Sequence, residues 1–166
     1  MRPATNKSET GKRDARLLMD VVSTLSLFTR TTMLRWLPPL VEAVELTGER
    51  YMVLFELGLQ PDASLKELAE GLGVSPSALS VMVQSLVERE LVTRVADATD
   101  RRKVVLRLSG DGERTLLRLE EELVDRFHDY LQELDPADRR DLAASSRAML
   151  DVVNRILRRD GSREEA

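Results

Sequence analysis

The sequence contains no cysteine and only one histidine, His128. The lack of cysteine excludes disulfides, thiolate zinc sites and thiol-based redox sensing. A metal bound at His128 would need carboxylates such as Asp125 and Asp129 as further ligands, and a surface or interface histidine is the simpler interpretation. We therefore expect neither a metal nor a cofactor.

Aromatic residues and long apolar runs are also scarce. Phe, Trp and Tyr make up 4% of the 166 residues, and no unbroken apolar run approaches the ~20 residues of a membrane-spanning helix. No apolar signal-peptide core follows the basic and polar residues 1–8. The sequence also lacks a Gly-rich phosphate loop, a cysteine nucleophile and a GxSxG motif, which argues against an enzyme. A soluble, helix-rich, cytoplasmic protein without a membrane partner is expected.

The charge of the chain is acidic in total but uneven along its length. A net charge of −4 at pH 7 by itself disfavours binding to nucleic acid. Residues 75–109 nevertheless contain six basic and four acidic residues, whereas residues 110–166 contain ten basic and fifteen acidic ones. A polarised molecule with one weakly basic face is therefore expected.

Residues 64–109 are the most informative segment, because they predict a helix-turn-helix followed by a β-hairpin. Ser64 and Glu67 have the spacing of a capping box at the start of a short helix that runs to Gly71. Gly73 lies in the turn that follows this helix. A second helix comes after the turn, and in this motif the second helix enters the DNA major groove.

The second helix of the motif, from Ser75 to about Glu90, is the candidate recognition helix. Ser75 as N-cap and Pro76 at the first helical position begin it with little strain. The apolar residues at helical spacing are expected to face the core: Leu79, Met82, Val83 and Leu86. The other side chains face outward and are the candidate readers of DNA: Ser75, Ser77, Ala78, Ser80, Val81, Gln84 and Ser85.

Two runs with β-branched residues, Leu91–Ala96 and Lys103–Leu108, predict a hairpin around a charged tip. Such a wing can touch the minor groove beside the recognition helix. The basic cluster Arg101, Arg102 and Lys103 favours contact with DNA phosphate, and the alternative is a solvated charged turn.

Helical patterns flank this module on its N-terminal side. From Asp14 apolar residues recur at helical spacing, and the helix is expected to run until Pro38 and Pro39 break or kink it. Thr47 is typical of an N-cap for a further helix, which we predict from residue 49 to about Leu59.

Two more helices are predicted on the C-terminal side of the module. A long amphipathic pattern covers residues 111–134, and Asp135 with Pro136 begins a last helix. The fold class is therefore mainly α with a small β-hairpin wing.

The order of these elements resembles the multiple-antibiotic-resistance regulator (MarR) family from about Asp14 to Leu157. The resemblance depends on DRRKVVLRLS at residues 100–109, which fits the wing pattern D-x-R-x-x-x-L-x-L-[T/S], together with SPSALSVMVQSLVERELV on the recognition helix. It implies an obligate homodimer, two winged helices on the halves of a palindrome, a small-molecule pocket, and repression that a ligand relieves.

The resemblance also implies one intertwined domain, made of dimerisation helices (14–46 and 110–159) and a winged helix-turn-helix (47–109). Composition adds the two ends of the chain: a flexible N-terminal arm (1–13), which is polar and contains Pro3 and Gly11, and a charged C-terminal tail (160–166).

Ten positions match the family's DNA-binding surface. Asp100 and Arg102 match a wing acid and arginine that brace the wing and place a cation near phosphate. The full set is Lys66, Ser75, Ser77, Ser80, Gln84, Arg94, Asp100, Arg101, Arg102 and Lys103.

Three residues depart from the family pattern. Thr99 stands at the wing tip where many relatives have arginine, and Val81 stands where a polar or basic reader is common. Glu90 occupies the position where glycine usually ends the recognition helix, because a left-handed C-cap costs other residues about 1 kcal/mol. Together these changes predict a lower affinity for DNA.

The resemblance also implies that the first two helices line the ligand pocket. An arginine beside aromatic rings suits a small aromatic or anionic ligand, and the candidate residues are Arg30, Arg35, Trp36 and Tyr51. The alternative for Trp36 and Phe28 is packing in the dimer core.

The sequence therefore predicts a homodimeric, ligand-responsive repressor that binds a palindromic operator through residues 75–90 and the wing, residues 92–108. One alternative is a winged-helix dimer that acts as a protein-interaction module or antagonist with little DNA binding of its own. A second alternative, an enzyme or carrier that uses the helical pocket, would bind a ligand without affinity for DNA.

Overall fold

In a computed structural model the protein is mainly helical, and the structure describes residues 5–97, 100 and 103–164. These residues form seven α-helices and one π-helical turn, Thr29–Met33. The α-helices are α1 (Thr5–Phe28), α2 (Leu34–Ala43), α3 (Gly48–Leu59), α4 (Leu65–Leu72), α5 (Pro76–Glu88), α6 (Gly110–Gln132) and α7 (Pro136–Glu164).

A three-stranded antiparallel sheet follows the order β1-β3-β2, where β1 is Ala63–Ser64, β2 is Val92–Ala96 and β3 is Val104–Leu108. Strands β2 and β3 form the predicted hairpin, with Val92 opposite Leu108 and Ala96 opposite Val104. The third strand, β1, comes directly before α4, and its residues Ala63 and Ser64 pair with Leu106 and Val105. A two-residue strand has too little pattern to be recognised in a sequence.

The core lies between the helix-turn-helix, the sheet and the start of α6. The predicted inner stripe of α5 is confirmed, since Leu79, Val83 and Leu86 are fully buried and Met82 is partly buried. Leu54 from α3 and Leu119 from α6 are also fully buried in this cluster. The burial of each such side chain contributes roughly 1.5–3 kcal/mol, so this cluster fixes how α5 is presented.

The N-terminal helix differs from the sequence prediction at both of its ends. Residues from Thr5 onward are helical, so the predicted arm is not seen over residues 5–13. A break or kink was predicted at Pro38 and Pro39, but the helix is not broken there, because both prolines lie inside α2. The chain instead bends by 45° between residues 10–32 and 34–43, at the π-helical turn.

The position of this bend has a simple steric cause. A proline ring inside a helix pushes against the carbonyl group four residues earlier and leaves that group without its usual donor. For Pro38 the carbonyl belongs to Leu34, the first residue of α2. The disturbed carbonyl therefore lies one turn before Pro38, directly after the π-helical turn Thr29–Met33, which is where the chain bends.

The chain divides into two compact units, Met1–Leu123 and Val124–Ala166. The second unit holds the end of α6 and the whole of α7. Helix α7 continues to Glu164, so the predicted tail at residues 160–166 is wrong for residues 160–164. Among the described residues no single helix is long and apolar enough to cross a membrane, although the bent pair 10–32 and 34–43 together has the length and composition.

Candidate nucleic-acid interface

The first helix of the helix-turn-helix, α4, begins with the predicted capping box. Ser64 Oγ accepts a hydrogen bond from the Glu67 N–H (3.2 Å), and the Glu67 carboxylate accepts one from the Ser64 N–H (2.8 Å). Gly73 ends α4 in the left-handed conformation with φ of 65°. Val74 N–H then donates back to the Ala69 carbonyl (3.1 Å), which sets the direction in which α5 starts.

Helix α5 begins with the predicted serine and proline. Ser75 Oγ accepts a hydrogen bond from the Ala78 N–H (3.2 Å) and lies 3.1 Å from Ser77 Oγ. The cap uses one lone pair of Ser75 Oγ, and one hydroxyl hydrogen of the Ser75–Ser77 pair bridges the two oxygens, which leaves the other hydroxyl hydrogen to be donated. An exposed serine hydroxyl at a helix N-terminus is well suited to a phosphate oxygen.

The outward face of α5 is a narrow stripe of exposed side chains. Its members lie at helical spacing, and all are exposed: Ser77, Ser80, Val81 and Gln84. Gln84 Nε2 donates to Glu88 Oε1 (3.0 Å), so the carboxamide points along the helix and its oxygen is left as an acceptor. This stripe, called the reading stripe below, offers two hydroxyls, one carboxamide and one apolar side chain.

The end of α5 is held by contacts that the sequence does not indicate. Arg89 Nη2 donates to the Val44 carbonyl (3.1 Å) and to Glu45 Oε2 (3.2 Å), which ties α5 to the loop before α3. Glu90 has φ of 60°, the left-handed conformation expected at this glycine-typical position. Arg89 was not predicted as a positioning residue, because its partners lie more than 40 residues away in the chain.

Backbone and side-chain hydrogen bonds order the hairpin where β2 ends and β3 begins. Asp97 N–H donates to the Lys103 carbonyl (3.0 Å), and Lys103 N–H donates to the Asp100 carbonyl (2.8 Å). Asp97 Oδ1 accepts from the Asp100 N–H (2.7 Å). The tip residues Thr99, Arg101 and Arg102, on which most of the wing prediction depends, lie outside the described residues.

Arg107 fastens the other end of β3. Its Nε and Nη2 atoms both donate to Asp62 Oδ1, at 2.9 and 2.6 Å. This ion pair joins the wing to the segment before β1, so the guanidinium of Arg107 is engaged within the protein. Arg94, which was predicted to reach DNA, is exposed on β2 opposite Leu106.

The positive charges of Lys66 and Lys103 stabilise the ionised carboxylate of the capping box. The pKa of Glu67 is lowered, first by its hydrogen bonds with the Ser64 side chain and backbone, and further by the positive charges of Lys103 and Lys66. Lys66 also lies 3.7 Å from Glu70 in an exposed ion pair. Two of the predicted DNA-contacting lysines, one from α4 and one from the wing, therefore act on the same carboxylate.

The predicted ligand residues are only partly brought together. A cavity of about 220 Å³ lies in the first unit, and its wall is almost entirely apolar: Thr29, Leu34, Leu37, Tyr51, Met52, Phe55 and Leu123. Tyr51 is the predicted ligand residue on this wall, and its ring stacks on Phe55 with centroids 6.0 Å apart. Burial, and then the charge of Glu120, raise the pKa of Tyr51.

The remaining predicted ligand residues do not line this cavity. Arg30 and Arg35 are exposed, and Trp36 is partly buried against the core. The arrangement of the described residues therefore favours an apolar ligand over an anionic one. His128 is exposed on α6 with Gln132 Nε2 3.3 Å from its ring, in agreement with a surface histidine.

The chain is similar to known transcriptional regulators in both sequence and fold. Residues 45–103 match the model of the MarR family. The chain is 35% identical, over 54% of its length and 57% of the relative's, to the HTH-type transcriptional repressor MdtR of Bacillus subtilis (strain 168).

Two solved structures share the fold over most of their length. The crystal structure of RV1404 from Mycobacterium tuberculosis has a TM-score of 0.65 and 25% identity, over 80% of this chain and 92% of that one. The S. aureus MepR F27L mutant bound to an oligodeoxyribonucleotide has a TM-score of 0.59 and 19% identity, over 80% and 97%. The predicted fold class, mainly helical with a small antiparallel wing, is confirmed.

The chain spans about half to three fifths of the length of the four curated relatives that it matches. All four are transcriptional regulators by name. The sequence-based expectation of a non-enzymatic protein agrees with these relatives.

Proposed function

Because residues 45–103 match the model of the MarR family and the chain is 35% identical, over 54% of its length, to a transcriptional repressor of Bacillus subtilis, we propose that it is a homodimeric winged-helix repressor of this family that binds a palindromic operator. The observation that supports this function best is the reading stripe on α5. Its serines and Gln84 are exposed, while the opposite face of the same helix is fully buried in the core. A polar face on a rigidly held second helix has the geometry of major-groove readout.

The proposed dimer is supported by apolar side chains on the end helices. At helical spacing, α1 exposes Leu18, Val22 and Leu25, and α7 exposes Leu150, Val153 and Leu157. Apolar faces of this length are usually covered in soluble proteins. A second copy of the chain is the occupant proposed here, with a mass in solution of twice the 18.8 kDa of one chain.

Dimerisation also supplies the affinity that one module lacks. Two recognition helices must match half-sites about 34 Å apart, so a small change in their separation prevents simultaneous docking. The apolar cavity beside Tyr51 and Phe55 is the proposed site at which a small aromatic ligand changes that separation. The expected place of action is the cytoplasm.

Replacement of Arg102 by alanine tests the function, because its charge is proposed to lie near phosphate. Fluorescence anisotropy with an operator duplex obtained by in vitro selection would measure the affinity at several salt concentrations. We expect about tenfold weaker binding, and a salt dependence that is lower by about two units, one for each subunit. Arg118→Ala is the matched control, since Arg118 is an exposed arginine paired with Glu122 on α6. Equal affinities for wild type and Arg102→Ala would contradict the proposed role of the wing.

The ligand is tested separately by isothermal titration with neutral and anionic aromatic compounds. We expect heat of binding from neutral aromatics, and release of the operator duplex in their presence. A dimer that binds DNA but none of these compounds would contradict the ligand-responsive part of the proposal.

An alternative function is a dimeric protein-interaction module that antagonises another regulator. Two observations favour it: Glu88 lies beside Gln84 at the end of the reading stripe, and Arg89 is held within the protein. An electrophoretic shift against the upstream region of its own gene at two salt concentrations separates the two functions. No salt-sensitive binding to any duplex would favour the alternative.

A further inference from the structure

Val81 is the most exposed large apolar side chain in the described part of the chain. Seventy per cent of its surface is accessible, and it lies in the middle of the reading stripe between Ser77 and Gln84. Ala78, one turn earlier on the same side, is exposed as well. An apolar spot thus interrupts an otherwise hydrogen-bonding surface.

Stability does not account for valine at this position. Its side chain is outside the core, which receives Leu79, Val83 and Leu86 from the opposite face of α5. A β-branched residue also has a lower helix propensity than alanine or leucine, because it loses rotamer freedom against the preceding turn. Valine is therefore the less favourable choice for an exposed helix position unless it makes a contact elsewhere.

Dimerisation does not account for it either. Most exposed apolar side chains of the described residues lie on α1 and α7, whereas Val81 lies on α5 with polar neighbours on both sides. A contact for Val81 must therefore come from whatever the reading stripe binds.

The major groove offers one apolar group to such a side chain, the C5 methyl of thymine. Ser77 and Gln84 flank Val81 with a hydroxyl and a carboxamide oxygen, which suit the polar edges of neighbouring bases. We propose that Val81 is a specificity-determining residue that packs against the methyl group of one thymine in each half-site. This inference rests on the proposed DNA-binding function.

Replacement of thymine by deoxyuridine tests the contact, because it removes only the methyl group. A duplex selected in vitro with the wild-type chain would be prepared with each thymine replaced in turn, and affinities measured by fluorescence anisotropy. We expect one position per half-site at which the replacement weakens wild-type binding about fourfold, and about fifteenfold when both half-sites are changed.

Variants at position 81 show which side chain makes the contact. Val81→Ser should bind the thymine and deoxyuridine duplexes equally, and Val81→Thr, which keeps one methyl group, should retain part of the difference. Leu59→Ser is the matched control, since Leu59 is similarly exposed (63%) but lies at the end of α3, and it should retain the full fourfold effect.

The outcomes separate this inference from the proposed function. Specific binding that no deoxyuridine replacement weakens, or an equal loss in wild type and Val81→Ser, would overturn the role of Val81 and leave the regulator intact. Absence of sequence-specific DNA binding would overturn both.

Discussion

Gly112 is buried in the first turn of α6, directly against the backbone that links α5 to the wing. A Cβ atom at this position would lie 2.0 Å from the Leu91 carbonyl oxygen and 3.0 Å from its carbon. The same carbonyl accepts a hydrogen bond from the Ser109 N–H (3.0 Å), and Ser109 Oγ in turn accepts one from the Gly112 N–H (3.0 Å). Gly112→Ala therefore forces α6 and the start of the wing apart.

The size of the effect follows from these contacts. Overpacking against a backbone atom costs about 1–3 kcal/mol. Loss of a good geometry for the Ser109 hydrogen bonds adds about 1 kcal/mol. Alanine recovers up to about 1 kcal/mol through its higher helix propensity. We expect Gly112→Ala to lower the free energy of unfolding by about 2 kcal/mol.

Urea denaturation followed by circular dichroism, at one fixed protein concentration, would measure this change. Gly110→Ala is the matched control, because a Cβ at Gly110 meets only the flexible end of Arg114, at 3.4 Å. It should leave the stability unchanged or raise it slightly. Equal stabilities of the two variants would refute the proposed packing of α6 against Leu91.

Two further substitutions address backbone strain and pH. Glu90→Gly should raise the free energy of unfolding by about 0.5 kcal/mol in the same assay, because relief of the left-handed conformation exceeds the extra entropy of glycine; a destabilised variant would contradict this. The lowered pKa of Glu67 means that its cap stabilises the fold above the ordinary carboxyl value of 4.5, and that this contribution is lost as the pH falls through the lower folded-state pKa. Glu67→Gln should therefore lose less stability than wild type between pH 7 and pH ~3 in urea titrations, and an unchanged pH dependence would count against the ionised cap.

Local signals in the sequence were sufficient to predict the two helices of the helix-turn-helix. Ser64 with Glu67, and Ser75 with Pro76, act on groups within three or four residues, so their effect does not depend on the rest of the fold. The buried stripe of α5 was predicted for a related reason, since an amphipathic helix has only one face to bury. The candidate DNA-binding residues Ser77, Ser80 and Gln84 are exposed as that stripe requires.

Other features depended on residues that are far apart in the chain. Arg107 and Asp62 are 45 residues apart, and the pair changes Arg107 from a free wing cation into a structural link. Arg89 and Glu45 do the same for the end of α5. Neither residue type nor local spacing distinguishes these arginines from those that remain on the surface.

The lining of the cavity and the position of the N-terminal bend were also not predicted from local sequence signals. Tyr51 reaches the cavity because α2, α3 and α6 meet around it, whereas the exposed Arg30 and Arg35 do not line it. The prolines of α2 disturb carbonyl groups one turn earlier in the chain. The bend therefore lies before the prolines, beside the π-helical turn.

The sequence by itself therefore determined the type, order and inner face of the elements, because capping, turn geometry and periodicity are short-range properties of the chain. The tertiary structure confirmed the exposure of Val81, which the helical period had already predicted. Only the tertiary structure decided that Arg89 and Arg107 are engaged within the protein, and which side chains form the cavity. These properties depend on the distances between side chains from different elements, and packing alone sets those distances.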